Sequence, residues 1–208
     1  MWTRVILDYG LVLCLPPTRE AVDRMAGVFG IDHGTFWSLY ERNRGLYDRG
    51  DLDASEYWSR FASDAGRSID EAETRSLRAW DIEMWSRLNQ PLLRWARNLR
   101  SAGYRTAVLS NLHAEFAAHV RKTCPWLEHF DYPIFSSEVG FIKPDLEIYE
   151  HCLRVLQANA AEVIFLDDRE ANIRAARAKG ITALHYNTTD QLRKDLGSIG
   201  FELLPDAE

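Results

Sequence analysis

The sequence is poor in the features that identify secreted proteins and thiolate metal sites. Its 208 residues include three cysteines, Cys14, Cys124 and Cys152, and no pair of them has the spacing of metal ligands. An odd number of scattered cysteines is typical of reduced thiols rather than of a disulfide framework. We therefore expect a cytoplasmic protein.

Targeting segments, membrane spans and basic blocks are also lacking. The first apolar residues are interrupted by Asp8 and Gly10, with no basic segment before them and no small-residue cleavage site after them, so we expect no signal peptide. No apolar run approaches the length of a membrane span. The net charge is −6 and no block of Lys or Arg is present, which argues against a nucleic-acid surface. We expect neither a membrane nor a nucleic acid as a partner.

The sequence does contain the material for a core and a regular alternation of elements. Hydrophobic residues make up 46% of the chain, and its length fits one domain or a core with an insertion. Short apolar runs predict strands at residues 4–8, 105–109, 133–136, 162–166 and 181–184. Helical patterns occur at residues 91–101, 114–122, 145–156, 170–178 and 190–196. This alternation predicts an α/β fold with a parallel sheet and helices on both faces.

The alternation is interrupted after the first strand. From there to about residue 88 the pattern is helical, and its aromatic residues recur at a spacing that we interpret as helix packing. An insertion at this point would lie above the carboxyl end of the first strand. We therefore predict a core of residues 1–15 and 89–208 and a helical cap of residues 16–88.

Polar residues follow three of the predicted strands. Asp8 ends the first strand, Ser110 and Asn111 end the second, and Asp167 with Asp168 ends the fourth. Ligands of open α/β sheets collect at the carboxyl ends of the strands. The three strand ends are therefore expected to form one pocket.

The carboxylates of this pocket suit phosphoryl chemistry with a metal. Asp8 could attack phosphorus, or it could simply form a turn. The adjacent Asp167 and Asp168 repel each other by an estimated ~4 kcal/mol at 4 Å and moderate dielectric, and Mg²⁺ would remove that repulsion. We expect one of the two to bind the metal and the other to support it, with Asn172 orienting Asp168. The alternative is an Asp that caps the helix at 170–178.

Two further segments could bind the phosphoryl group. Ser110 and Asn111 lie between a strand and a helix, where a hydroxyl, an amide and free N–H groups suit an anion, although both residues are also ordinary helix caps. Lys143, before Pro144, could balance the charge of the carboxylates and a phosphate. The alternative is a lysine on the solvated surface.

In this order, four segments resemble the motifs of the haloacid dehalogenase-like hydrolase superfamily: Asp8-Tyr9-Gly10, Leu109-Ser110-Asn111, Gly140-Phe141-Ile142-Lys143-Pro144 and Leu166-Asp167-Asp168. Asp48-Arg49-Gly50-Asp51-Leu52, followed by Tyr57-Trp58, is similar to the small helical cap of its subfamily I. Within that subfamily the chain resembles the α-glucose-1-phosphatase-like enzymes and the N-terminal phosphatase domain of epoxide hydrolase.

The resemblance implies a Rossmann-like core with a small inserted α-helical cap, and a Mg²⁺-dependent phosphatase that forms an aspartyl-phosphate. Its substrate would be a small phosphorylated metabolite such as a sugar phosphate. By motif position, Asp8 would be the nucleophile, and the metal ligands would be Asp8, the Gly10 carbonyl and Asp168. The phosphoryl group would be held by Ser110, Asn111 and Lys143. The resemblance leaves the oligomeric state open.

One position departs from the family pattern. Most phosphatases of the family have a second Asp where this chain has Gly10, and general acid–base catalysis is typically worth ~10²–10⁴-fold. The leaving group could be acidic enough to depart without help, as a sugar anomeric oxygen would be. Alternatively a water or a cap residue does the work, with His33, Arg44 and Tyr47 as candidates. The third possibility is a catalytically weak protein that binds phosphorylated ligands.

The alternative enzyme is a 2-haloacid dehalogenase, in which Asp8 would attack carbon and displace halide without a metal. Such enzymes lack the paired carboxylates after the fourth strand, because an anionic cluster would repel a carboxylate substrate. Asp167 and Asp168 therefore count against this activity.

Overall fold

The computed structural model describes residues 1–206 and confirms the predicted α/β fold. The strands are β1 (Arg4–Leu7), β2 (Arg105–Ser110), β3 (Tyr132–Phe135), β4 (Val163–Asp167) and β5 (Thr182–His185). They form one parallel sheet in the order β3-β2-β1-β4-β5. Each strand lies where the apolar runs predict it, because a fully buried parallel strand needs a continuous apolar sequence.

Helices connect the strands and form a separate group after β1. Before α6 come α1 (Arg19–Phe29), α2 (His33–Arg42), α3 (Arg44–Arg49), α4 (Ala54–Asp64) and α5 (Glu71–Met84). The remainder are α6 (Gln90–Ser101), α7 (Ala114–Thr123), α8 (Ser136–Val139), α9 (Leu146–Leu156), α10 (Glu170–Ala178) and α11 (Thr189–Ser198). Within residues 1–206, none of these helices combines the length and the apolar character that a membrane crossing requires.

The register of the central strands aligns the ends of β1 and β4. Leu7 pairs with Val108 of β2 on one side and with Leu166 of β4 on the other. The backbone N–H of Asp8 donates to Leu166 O at 2.9 Å. The polar residues that follow these apolar strands therefore emerge at the same edge of the sheet.

Helices α1–α5 pack around an apolar cluster of their own. Its fully buried side chains include Phe36, Tyr57 and Trp58, so the aromatic spacing in this segment does mark helix packing. The chain enters and leaves the segment through paired backbone, where Leu15 N–H donates to Arg87 O at 2.7 Å. The division of the chain into a core and a cap at residues 16 and 88 stays a prediction.

A buried ion cluster lies inside the helical segment. Arg44 on α3 donates from Nε to Asp48 Oδ1 and from Nη1 to Asp81 Oδ2, each at 3.0 Å. The Tyr40 hydroxyl donates to Asp81 Oδ1, and His113 Nε2 lies 3.4 Å from Asp81 Oδ2. Because His113 immediately precedes α7, this cluster connects α5 to the loop that follows β2.

The two carboxylates of the cluster differ in their ionisation. Burial raises the pKa of Asp48, and its one guanidinium partner only partly offsets the lost hydration. Burial also acts on Asp81, but Arg44, His113 and Tyr40 together hold the pKa of Asp81 well below its usual range. Asp81 is therefore the firmly ionised partner of Arg44.

We expect Asp81→Asn to lower the free energy of unfolding by about 3–5 kcal/mol, because it leaves the buried Arg44 guanidinium short of a counter-charge. Urea denaturation at neutral pH measures the change. The exposed pair of Glu71 and Arg75 on α5 provides the control, since Glu71→Gln removes a solvated carboxylate and changes stability little. Equal effects of the two substitutions would contradict a stabilising role for Asp81.

The stability difference between wild type and Asp81→Asn also has a predicted pH dependence. An unfolded aspartate titrates near ~3.9, and the pKa of Asp81 is lower in the folded chain. The stabilisation is therefore complete above that pH and is lost as the pH falls toward the folded pKa. We expect the difference to shrink below about pH 4. A difference that stays constant into this acid range would show that the charge of Asp81 is not responsible.

Candidate active site

Three carboxylates meet at the sheet edge where β1 and β4 end. Carboxylate oxygens of Asp8, Asp167 and Asp168 all lie within 4.8 Å of one another. Asp8 follows the last residue of β1, Asp167 is the last residue of β4, and Asp168 follows it. A set of hard oxygen donors at this separation fits a divalent cation such as Mg²⁺.

Lys143 is buried among these carboxylates and is only 4% exposed. Its Nζ lies 2.7 Å from Asp8 Oδ1 and 2.7 Å from Asp167 Oδ2, and it donates to Leu109 O at 2.8 Å. All three protons of an ammonium group therefore have an acceptor in the protein. The alternative of a lysine on the solvated surface is wrong.

Asn111 fixes the backbone that carries Lys143. Its Nδ2 donates to Lys143 O at 2.8 Å, and its Oδ1 accepts from Lys143 N–H at 2.8 Å. The alternative of Ser110 or Asn111 as a helix cap is wrong, because His113 caps α7 and its Nδ1 accepts from Phe116 N–H at 3.4 Å. The phosphoryl contacts of Ser110, Asn111 and Lys143 stay a prediction; all three line one cavity beside Asp8.

Asp167 and Asp168 have different surroundings. Asp167 Oδ2 binds Lys143, and its Oδ1 accepts from Arg169 N–H at 2.8 Å and from Asn172 Nδ2 at 2.9 Å. The prediction that Asn172 orients Asp168 is wrong, because the fully buried Asp167 points toward α10 and takes that amide. Within residues 1–206, the Asp168 carboxylate has no hydrogen bond to another residue. It is therefore the freer of the two to bind a cation, and Asp167 supports Lys143.

The ionisation of the site is dominated by burial. Burial raises the pKa of Asp8 to about 7, with Asp167 and Asp168 adding to the rise and the Lys143 charge opposing it. Burial and the neighbouring Asp167 likewise raise the pKa of Asp168. For Lys143, burial acts to lower the pKa, but Asp167 and Asp8 outweigh it and hold the pKa above its usual range. The lysine stays charged, and the site holds more negative charge than this one cation balances.

A single turn of residues Tyr9–Leu13 leads away from Asp8. Tyr9 N–H donates to Asp8 Oδ1 at 2.7 Å, so Asp8 also serves the turn that its sequence position suggested. The Tyr9 ring stacks on Trp126, with ring centroids 5.3 Å apart. Gly10 lines the cavity beside Asp8. The assignment of the Gly10 carbonyl as a metal ligand stays a prediction.

The cavity beside Asp8 has a volume of about 650 Å³ and is bounded by the sheet edge, by α2 and α3, and by the end of α5. Its apolar lining includes Leu11, Pro17, Trp37, Trp85, Phe116 and Ile142. The sequence does not identify which aromatic residues of the helical segment line the cavity, because Trp37 and Trp85 belong to the same helical pattern as the packed ones. Sequence reasoning missed the ion pair of Arg169 and Glu41, 3.1 Å apart, both of which line the cavity.

The three residues considered as substitutes for a general acid lie in different places. Arg44 lines the cavity and is held by the buried carboxylates. His33 is on the surface, where its Nδ1 lies 3.0 Å from Asp23 Oδ1. Tyr47 stacks on His113 with ring centroids 4.2 Å apart. Neither His33 nor Tyr47 is part of the cavity lining described here.

Comparison with curated proteins shows local sequence similarity to parts of longer chains. The chain is 36% identical over 112 residues to the bifunctional epoxide hydrolase 2 of Mus musculus, a match that covers 51% of this chain and 20% of that protein. It is 38% identical over 96 residues to the sesquiterpene phosphatase of Aspergillus oryzae, covering 46% of this chain and 48% of that protein. The chain therefore spans between a fifth and a half of the length of these two relatives.

Solved structures of similar fold cover nearly the whole chain. A haloacid dehalogenase family enzyme from Bacteroides thetaiotaomicron, in complex with magnesium and inorganic phosphate, matches 90% of this chain and 95% of its own, with a TM-score of 0.73 and 19% identity. The L-2-haloacid dehalogenase of Xanthobacter autotrophicus matches 97% of this chain and 85% of its own, with a TM-score of 0.70 and 16% identity. These similarities establish the fold.

The family is established by a sequence profile. The profile of the haloacid dehalogenase-like hydrolases matches residues 16–180, which is most of the chain. The motifs at Asn111, Lys143 and Asp168 fall inside this range, whereas Asp8 lies outside it, N-terminal to residue 16. The chain therefore belongs to the haloacid dehalogenase-like hydrolases.

Proposed function

We propose that the chain is a Mg²⁺-dependent phosphatase that hydrolyses a small phosphorylated metabolite through an aspartyl-phosphate on Asp8. The observation that supports this most is the grouping of Asp8, Asp167 and Asp168 within 4.8 Å around a buried Lys143. Such a site binds a cation and a phosphate dianion together. The solved structure with magnesium and inorganic phosphate shares the fold, which is consistent with the proposal.

Each residue has a role that follows from its contacts. Tyr9 N–H and Lys143 fix one oxygen of Asp8 and favour its ionised form. Asp8 forms a bond to phosphorus as the bond from phosphorus to the alcohol oxygen breaks, and water then releases phosphate and regenerates the carboxylate. Lys143 supplies positive charge beside the reacting group, and Ser110 supplies a hydroxyl in the same cavity. A bound Mg²⁺, held by Asp8 and Asp168, would offset the charge of the phosphoryl oxygens.

The alcohol portion of the substrate meets an aromatic surface. Trp37, Trp85 and Phe116 line the cavity, and such rings pack against any group that presents an apolar face. A sugar ring has such a face, and so does a terpenoid chain, the class named for the Aspergillus oryzae relative.

The three cysteines are free, which is consistent with the predicted cytoplasmic location.

The carboxylates also favour the phosphatase over the dehalogenase. A 2-haloacid is itself an anion, and three carboxylates with one lysine repel it, whereas a cation bound by the same carboxylates attracts a phosphate. The fold shared with the Xanthobacter dehalogenase does not distinguish the activities. A protein that only binds phosphorylated ligands would show no hydrolysis, so turnover itself is the test.

We expect the protein to hydrolyse p-nitrophenyl phosphate when Mg²⁺ is present and to lose this activity when a chelator is added. Asp8→Asn should lower kcat by on the order of 10⁴-fold or more, as the removal of a covalent nucleophile does in other enzymes. Release of p-nitrophenol measures the rate. Asp23→Asn, on the solvated surface of α1, is the matched control and should retain activity. A well-folded Asp8→Asn protein with wild-type kcat would show that Asp8 is not the nucleophile.

A second prediction concerns the metal. Asp168→Asn should weaken Mg²⁺ binding, because it replaces a carboxylate that has no hydrogen-bond partner among residues 1–206 with a neutral amide. Thermal denaturation at increasing Mg²⁺ measures binding without turnover, since a ligand of the folded state raises the melting temperature. The wild type should show this rise and Asp168→Asn should need more Mg²⁺ for it. Identical titrations would show that Asp168 is not a ligand.

The third prediction concerns Lys143. Lys143→Met should cost about 3–5 kcal/mol of unfolding free energy, because it leaves the buried carboxylates of Asp8 and Asp167 facing each other without a cation. Urea denaturation measures this loss, and hydrolysis of p-nitrophenyl phosphate should fall with it. Lys179→Met is the control, because Lys179 pairs with Glu150 at the surface and contributes little. Equal stabilities of the two variants would contradict the central position of Lys143.

A further inference from the structure

The side chains of the cavity determine which leaving groups can depart. When a phosphate ester breaks, the alcohol oxygen keeps the electron pair, and a simple alcohol needs a proton at that moment. Within residues 1–206, no histidine lines the cavity beside Asp8. Besides Asp8, Lys143 and Asp168 at the reacting end, the titratable side chains that line it are Tyr9, Tyr40, Glu41, Arg44, Asp48 and Arg169.

The two tyrosine hydroxyls already donate their protons to the protein. Tyr9 OH donates to Trp85 O at 2.6 Å. Tyr40 OH donates to Asp81 Oδ1 and accepts from Arg44 Nη1. Burial also raises the pKa of Tyr40 well above its usual range. Neither hydroxyl is available to protonate a departing alkoxide.

The charged side chains that line the cavity also have partners within the protein. Arg44 donates to two buried carboxylates, and a guanidinium does not lose its proton in proteins. Asp48 accepts the Nε–H of Arg44 at 3.0 Å. Glu41 is paired with Arg169 at 3.1 Å, and its side chain is 63% exposed. Arg44 therefore engages one oxygen of Asp48, and Arg169 engages one oxygen of Glu41.

Gly10 lines the cavity two residues after Asp8, and it leaves open space. A Cβ built on Gly10 has no neighbouring atom within 4 Å. The backbone there has φ −60° and ψ 127°, which any L-residue adopts. The cavity could therefore accommodate a proton-donating side chain two residues after Asp8, and the chain has none there.

We propose that this site hydrolyses phosphate esters whose alcohol departs as a stable anion, such as aryl, enol or anomeric sugar phosphates, and discriminates against phosphates of simple alcohols. The inference rests on the proposed phosphatase function. In the first step Asp8 bonds to phosphorus and the alcohol leaves with the electron pair, to be protonated by solvent. In the second step water bonds to phosphorus, the Asp8–phosphorus ester breaks, and the water proton passes to solvent.

A substrate series of similar size tests the discrimination. The series is p-nitrophenyl phosphate, phenyl phosphate and 2-phenylethyl phosphate, in which the ring is retained and the alcohol becomes progressively less acidic. We expect the wild-type kcat/KM to fall by on the order of 10²-fold or more from the first to the last, the size of a missing general acid. Equal values of kcat/KM across the series would overturn the proposal.

Substitution of Gly10 separates proton donation from mere filling of space. Gly10→Asp should raise kcat/KM for 2-phenylethyl phosphate relative to p-nitrophenyl phosphate by on the order of 10²-fold. The side chain of Gly10→Asn has the same size as that of Gly10→Asp but cannot donate a carboxyl proton. The ratio of kcat/KM for the two substrates should therefore stay at the wild-type value in Gly10→Asn. Circular dichroism checks that both variants fold. If Gly10→Asn shifts the ratio as much as Gly10→Asp does, the proposal is overturned.

The outcomes also separate this proposal from the phosphatase function. Hydrolysis of p-nitrophenyl phosphate that depends on Asp8, together with a flat substrate series, would keep the phosphatase and remove the leaving-group preference. A well-folded wild type that hydrolyses none of the three esters with Mg²⁺ would overturn both. A steep series that only Gly10→Asp flattens is the result we expect.

Discussion

The ammonium group of Lys143 allows carboxylates to share one buried edge of the sheet. It lies 2.7 Å from both Asp8 and Asp167 and donates to Leu109 O, and it is almost completely shielded from water. A buried charge is tolerated only when partners replace its hydration. Here the ammonium group of Lys143 and the carboxylates of Asp8 and Asp167 replace each other's hydration. The backbone of Lys143 is in turn fixed by Asn111. The position of the Asp8 carboxylate therefore depends on contacts from three strand ends.

Much of this arrangement could be predicted from local patterns. Apolar runs mark buried strands, and the polar residues that end them must emerge together in a parallel sheet, so Asp8 and Asp168 were placed correctly at one edge. Periodicity does not predict the burial of Lys143, because a lone lysine before a proline has no pattern that reports its surroundings. Its place beside the carboxylates is expected only from charge balance and from the family motif. The prediction of Asp168 as the partner of Asn172 is wrong for a related reason. Its spacing reaches either adjacent aspartate, and only the direction of Asp167 toward α10 decides between them.

The helical segment shows a different limit of sequence reasoning. Tyr57 and Trp58 pack inside α1–α5, whereas Trp37 and Trp85 also line the cavity. Both pairs occur on amphipathic helices at ordinary spacing, so the sequence does not separate an interior face from a cavity face. Arg44 illustrates the same point for charge. Alone it is a candidate to act on a substrate, yet two buried carboxylates hold it and make it part of the packing.

The carboxylates and Lys143 at the sheet edge contrast with the aromatic side chains of the cavity lining, and under the proposed function this contrast bears on the leaving group. Under the proposed function, Lys143 and a cation held by the carboxylates would stabilise negative charge on the phosphoryl oxygens. A departing oxygen that emerged toward Trp37, Trp85 and Phe116 would meet an apolar surface, where a localised charge is poorly solvated. A phenolate or an anomeric oxygen is stabilised by its own structure and tolerates such surroundings better than a simple alkoxide. The aromatic lining and the missing side chain at Gly10 therefore act in the same direction on substrate choice.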